Sequence, residues 1–240
     1  MSIPRLHCDS PLSAGALVAA SAAQAHHLRT VLRRRAGDPV RLFNARDGEW
    51  SGRIIELGRD QGRFAVDSLL RPPAPEQGFT LLPACLKREA MEWLVEKATE
   101  LGASRIQPVL TQRSVVQQPN LDRLALIARG AAEQCERLSL PAILPPLPLP
   151  ALLAAWQGGG LLVAVERSSA PPLPQLAGHG RALMTGPEGG FTAAELDELR
   201  RHPFVTPCSL GPRILRAETA AIAGLAVLQA LAGDWAGDRT

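Results

Sequence analysis

The chain has 240 residues, 46% hydrophobic and 20% charged, a balance that fits a soluble globular protein of one or two domains and excludes a disordered chain. Its longest apolar runs fall far short of a bilayer span, which argues against a membrane partner. Net charge is +3 but unevenly placed, since residues 1–72 hold 11 Arg or Lys against 7 Asp or Glu while the remainder holds 15 against 16.

The stretch LSAGALVAASAAQA (12–25) faintly imitates a secretory leader. Its core is mostly alanine and Asp9 stands where a basic region belongs, so it reads as a loop and helix. AQAHHLRTVLRRRAGD (23–38) reads as a short helix stopped by Gly37 and carries the basic run Arg29, Arg33, Arg34 and Arg35. Such a patch suits a polyanion, or equally a solvated surface in an arginine-rich chain. PVRLFNARDGEWSGRIIEL (39–57) holds two extended stretches around Asp47-Gly48, a hairpin turn, and Phe64–Leu70 offers another strand. RPPAPEQG (71–78) has no periodicity and reads as a linker, which sets a small β domain over 1–72 against a second domain over 73–240.

In the second part FTLLPAC (79–85) reads as a buried strand. AMEWLVEKATEL (90–101) places Met91, Leu94, Val95, Ala98 and Leu101 on one helical face closed by Gly102. IQPVL (106–110) is a strand and 121–137 a helix. PAILPPLPLP (141–150) is a connection. LLVAV (161–165), ALMT (182–185) and FVTPCSL (204–210) are strands; TAAELDELR and ETAAIAGLAVLQAL are helices. This alternation predicts an α/β fold with a mainly parallel sheet covered on both faces.

Functional residues are sought where strand ends meet helix starts in such a sheet. TGPEGGF (185–191) lies at one of these junctions. It could be a phosphate cradle, a dinucleotide loop, a tight turn or another cofactor's pocket. GxxxxGK[ST] and GxGxxG are both absent, and Thr192 with Glu195 forms a capping box that satisfies the helix start internally, so phosphate is disfavoured. SLGPRILRAETA (209–220) repeats the pattern, and two such loops could clamp a flat uncharged group such as adenine, or be two ordinary turns. GxSxG and HExxH are missing. Cys8, Cys85, Cys135 and Cys208 form no CxxC or Cys/His cluster, which disfavours zinc and a disulfide framework and suits idle thiols in a reducing cytosol. His26 and His27 are adjacent, so at most one can face a given site.

HHLRTVLRRRAGD, MEWLVEKATELGASRIQPVLTQRSV, AAEQCERLSLP, TGPEGGFTAAEL and SLGPRILRAETAAIAGLAVLQAL, in that order and over nearly the whole chain, resemble the ribosomal RNA small-subunit methyltransferase E family of the SPOUT class. The resemblance implies an N-terminal PUA-like or OB-like β-barrel for RNA and a C-terminal SPOUT-type parallel sheet with a trefoil knot. It implies a cytoplasmic homodimer that uses S-adenosylmethionine, and no metal, to methylate uracil N3 at one position of 16S rRNA in the assembled 30S subunit. By motif position, Met184, Gly186, Glu188, Gly190, Leu210, Gly211, Ile214 and Leu215 fall to the cofactor. Arg213 and Arg216 fall to phosphate binding or stabilisation of the uracil anion, with an ion pair to Glu218 or Glu133 as the competing role. Arg29, Arg33, Arg34 and Arg35 fall to the rRNA backbone. No proton acceptor is identifiable. The alternatives are a SPOUT methyltransferase acting on tRNA or a ribose 2′-hydroxyl, and a non-catalytic RNA-binding assembly factor.

Overall fold

A computed structural model describes residues 3–237. The chain divides into two compact units, one of residues 1–75 with 132–140, the other of residues 76–131 with 141–240.

The first unit is built on a five-stranded sheet of β1 (Arg5–His7), β2 (Leu17–Ala20), β3 (Pro39–Asn44), β4 (Gly48–Leu57) and β5 (Gly62–Arg71), ordered β1-β3-β4-β5-β2. Only β1 and β3 run parallel. The β3–β4 turn forms where Asp47-Gly48 predicts it. Gly48 has φ +84°, and a Cβ there would strike the Arg71 carbonyl oxygen. The Asp47 carboxylate pins the turn by accepting from the Leu12 amide at 2.9 Å and Asn44 Nδ2 at 3.0 Å. The neighbouring Arg46 guanidinium holds that carboxyl well below the usual range.

Two local expectations are corrected in this unit. Residues 12–25 contain a strand as well as a loop and helix. Leu17 is 62% exposed and Val18 2% exposed, an alternation hidden by alanines and imposed by antiparallel pairing with β5. The helix expected up to Gly37 is shorter. After α1 (Ala22–His26), capped reciprocally by Ser21 and Gln24, the chain widens into one π-helical turn over His27–Val31, and Arg33 turns left-handed at φ 52°.

Residues 132–140 complete this unit. Ala132, Leu138 and Leu140 pack with Phe43. The buried Arg5 guanidinium lies 3.5 Å from the Phe43 ring centre and donates to the carbonyl oxygens of Ala132 and Arg137, both at 2.7 Å, and to Glu49 Oε2 at 3.2 Å. A buried charge is tolerated only with such partners.

The second unit contains β6 (Thr80–Pro83), α2 (Arg88–Glu100), β7 (Arg105–Ile106), β8 (Val109–Leu110), α3 (Leu121–Gln134, whose last turn enters the 132–140 segment), β9 (Ala142–Ile143), β10 (Leu147–Pro148), α4 (Leu149–Ala154), β11 (Leu161–Ala164), β12 (Ala182–Thr185), α5 (Ala193–Arg200), β13 (Val205–Cys208) and α6 (Ala217–Ala232). Six strands form a wholly parallel sheet in the order β13-β11-β12-β6-β7-β9. Burial on both faces explains its unbroken apolar strands. Leu81, Leu162 and Leu183 turn to the core shared with α2 and α6; Leu82, Val163 and Met184 turn to the core shared with α4 and α5.

IQPVL does not form one strand. Pro108 has no amide to donate to a ladder, and the segment splits into β7 in the main sheet and β8, which pairs with β10 instead. PAILPPLPLP is accordingly more than a connection, because it supplies β9, β10 and the start of α4. The α2 face is as the periodicity predicts, and Gly102 adopts φ +77° beyond its end. The buried Gln229 of α6 secures that end by donating to the Leu101 carbonyl oxygen at 2.6 Å.

Candidate active site

β13, β11 and β12 are neighbours, so their C-terminal ends deliver three loops to one place. These loops wall an open cleft with about 920 Å³ of empty space, its solvent mouth included. Ala164 to Arg167 come from the first loop, Thr185 to Glu188 with Gly190 and Phe191 from the second, and Leu210, Gly211 and Arg213 to Leu215 from the third. Ala217 and Ala220 at the start of α6 and Leu196 of α5 complete the lining.

The second loop is fixed by identifiable contacts. The Gly190 amide donates to the Pro187 carbonyl oxygen at 2.9 Å and closes a turn. Gly190 sits at φ +69°, and a Cβ there would lie 3.0 Å from Glu166 Oε1, so glycine lets the first loop's carboxylate lie against the second loop. The expected capping box is present, and its carboxylate does more than cap. Glu195 Oε2 accepts from the Thr192 amide at 2.8 Å, while Oε1 accepts from the Gln112 amide at 2.7 Å. Arg113, the next residue, donates through Nη1 to the Gly189 carbonyl oxygen at 2.5 Å. The TQRSV segment thus braces the TGPEGGF loop from outside.

The third loop is open where it faces the cleft. Gly211 has φ +102°, and a Cβ added to it would meet nothing within 4 Å, so the peptide there is bare to an incoming group. At the cleft floor Thr185 is 1% exposed, and its Oγ1 has no hydrogen-bond partner among the described residues. A buried hydroxyl left unpaired costs free energy, so this atom marks where a polar ligand atom would bond.

Seven of the eight residues expected at the cofactor line this cleft: Gly186, Glu188, Gly190, Leu210, Gly211, Ile214 and Leu215. Met184 does not, because its side chain is fully buried in the core against α4 and α5; on a strand it points to the face opposite Leu183 and Thr185. Arg213 lines the cleft, while Arg216 occupies the N-cap position of α6 outside the lining. Neither pairs with Glu218 among the described residues, and Glu133 accepts instead from the His7 amide at 3.0 Å in the first unit. Arg29, Arg33 and Arg35 are exposed and Arg34 is half-buried, all in the first unit around the π turn. Sequence reasoning missed the first loop (Glu166 and Arg167), Thr185 and the brace from Arg113. The rule that found the other loops, a helix- or turn-forming segment after a buried strand, applied equally to the end of LLVAV.

Comparison with known proteins agrees with this layout. Residues 73–229 match the RNA methyltransferase domain family, and residues 21–66 match the RNA methyltransferase PUA domain family. The ribosomal RNA small subunit methyltransferase E of Rickettsia conorii is 31% identical over 238 residues, covering 96% of this chain and 97% of that protein. A Legionella pneumophila methyltransferase solved with bound SAM superposes with a TM-score of 0.90 at 30% identity, over 98% of this chain and 100% of that one. The ribosomal RNA small subunit methyltransferase E of Neisseria gonorrhoeae, solved with S-adenosyl methionine, gives 0.86 at 27% identity and the same coverage. The chain belongs to the ribosomal RNA small subunit methyltransferase E family, with a SPOUT-type α/β domain following an N-terminal PUA domain.

Proposed function

We propose that the protein is an S-adenosylmethionine-dependent methyltransferase acting on uracil N3 at one position of 16S rRNA in the assembled 30S subunit. The observation that carries the reading is the convergence of three strand-end loops on one cleft, bare of side chain at Gly211 and floored by the unpartnered Thr185 hydroxyl. Those residues fit the cofactor: a flat adenine can lie on the exposed peptide between Leu210 and Ile214, and one of its ring nitrogens can accept a hydrogen bond from Thr185 Oγ1. When bound, the cofactor supplies an electrophilic methyl group on a sulfonium.

The chain's own part is binding, alignment and electrostatics. Uracil N3–H is weakly acidic, so the site must favour the deprotonated ring and hold N3 in line with the methyl group. Fixing such an alignment can supply a large part of a barrier. Arg213, which lines the cleft, holds an RNA phosphate or stabilises the ring anion in this reading. The exposed arginines Arg29, Arg33 and Arg35, with Arg34, supply the first unit's contacts to the rRNA backbone. The proposal includes a homodimer, a cytoplasmic location and a trefoil knot in the second unit, all implied by the family resemblance.

The test is incubation with methyl-labelled cofactor and undermethylated 30S subunits, free 16S rRNA or tRNA, followed by nucleoside identification. Label in 3-methyluridine from 30S subunits is expected. Label in a 2′-O-methylribose or in tRNA would overturn the assignment, and absence of cofactor binding by calorimetry would favour a non-catalytic assembly factor. Light scattering checks the dimer.

A further inference from the structure

Arg167 lies in the turn that follows β11, at φ 50°, and lines the same cleft as Arg213. A side chain other than glycine in the left-handed region is strained, and strain of this kind persists only where the surrounding structure enforces it. Nothing in the packing asks for an arginine here, since the residue is exposed. The guanidinium has no hydrogen bond or ion pair within the described residues. The same holds for Arg213. Two carboxylates, Glu166 and Glu188, also line the cleft, yet neither pairs with these arginines among the described residues. Two guanidiniums that line one cleft with no carboxylate partner among the described residues form a binding feature for an extended anion such as an RNA backbone, since arginine N–H groups match phosphate oxygens.

We propose that Arg167, together with Arg213, clamps the phosphate flanking the target nucleotide, so that the first loop delivers the substrate backbone while the second and third loops hold the cofactor. The inference rests on the rRNA-methyltransferase reading above and adds to it a positioning residue for the RNA. Arg167 holds the left-handed position of a turn that lines the cleft, and a glycine there would keep the turn without the charge.

The test compares the wild-type protein with Arg167→Gly and Arg167→Ala. Binding of a 16S rRNA fragment is measured across a salt series, the cofactor Kd by calorimetry, and the melting temperature alongside. For Arg167→Gly the slope of log affinity against log salt is expected to shrink by about 0.7–0.9, the loss of one phosphate contact. Cofactor Kd should stay unchanged and the melting temperature unchanged or higher, because strain is relieved. Arg167→Ala should lose the same slope with a lower melting temperature, which separates the charge from the fold. An unchanged salt slope in both variants overturns the inference. A weakened cofactor Kd with an unchanged slope also overturns it, by assigning Arg167 to the cofactor's carboxylate. Failure of the wild-type protein to bind the fragment overturns both this inference and the rRNA reading, and is distinguished by the wild-type measurement alone.

Discussion

Arg113 Nη1 donates to the Gly189 carbonyl oxygen at 2.5 Å, and the neighbouring amide of Gln112 donates to Glu195 at 2.7 Å, so one segment grips the TGPEGGF loop at its tip and at its helix. The two grips differ in burial. Glu195 is 6% exposed, whereas Arg113 is exposed. Glu195→Ala strands two backbone amides and should cost about 2–4 kcal/mol of stability, since hydrogen bonds to a charged group are worth about 1.5–3 kcal/mol each. Arg113→Ala should leave stability nearly intact and weaken cofactor binding about three- to tenfold through loop mobility. Denaturant titration and calorimetry on both variants check the split. Equal loss of stability in the two would refute it.

Thr185→Val should act with opposite signs on the free and bound protein. Valine keeps the shape and removes a buried hydroxyl that lacks a partner. The free protein should gain stability by about 1 kcal/mol, while cofactor affinity falls about tenfold with the lost hydrogen bond. Thermal melts with and without cofactor decide it. A loss of stability in the free protein would show that the hydroxyl is already satisfied.

Two glycines separate the cleft from the core. At Gly211 a Cβ meets nothing within 4 Å, while at Gly224 in α6 it would lie 2.5 Å from Leu183 Cδ2. Gly211→Val therefore obstructs the ligand rather than the fold. It should abolish measurable cofactor binding for a stability cost of about 1–2 kcal/mol from the left-handed backbone. Gly224→Ala should do the reverse, costing about 1–3 kcal/mol by overpacking with affinity little changed in the folded fraction. Retained affinity in Gly211→Val would move the adenine slot elsewhere.

The buried thiols give a pH signature. Burial pushes the Cys85 thiol up to about 11 and the Cys208 thiol up to about 12, against an ordinary value of 9.0. The folded state keeps protons that the unfolded chain releases. The stabilisation is therefore complete below about pH 9 and is lost as pH rises through 11 to 12. With no tyrosine in the chain and only two lysines, few other groups titrate in that window. Urea midpoints at pH 8 and 10.5 should differ more for the wild type than for a Cys85→Ala, Cys208→Ala double variant. Iodoacetamide at pH 8 should label the partly exposed Cys135 ahead of the three buried thiols.

Much of this architecture was legible locally. The α2 face, the Asp47-Gly48 turn and the Thr192–Glu195 box depend on residues within a few positions of one another, and their patterns survive folding unchanged. What escaped depends on distant partners. Val18 becomes a strand residue only because β5 pairs with it, and Pro108 divides one apolar run between two sheets. In the site, TGPEGGF and SLGPRIL announce themselves by glycine and proline, whereas the Glu166–Arg167 turn contains neither. Its left-handed residue is an arginine, which no composition rule flags. The Met184 side chain turns into the core, since motif position does not tell which face of a strand a side chain occupies.

The 132–140 segment has a consequence for synthesis and dissection. Arg5 finds carbonyl partners at Ala132, Glu136 and Arg137, 127 to 132 residues further along the chain. The N-terminal unit therefore stays unfinished until more than half the chain has emerged, and its buried guanidinium must wait in solvent or in borrowed contacts. A fragment cut at the linker would keep Glu49 alone of that guanidinium's acceptors among the described residues. Folding order here runs against gene order, and the unit translated first cannot close until much of the unit translated second has been made.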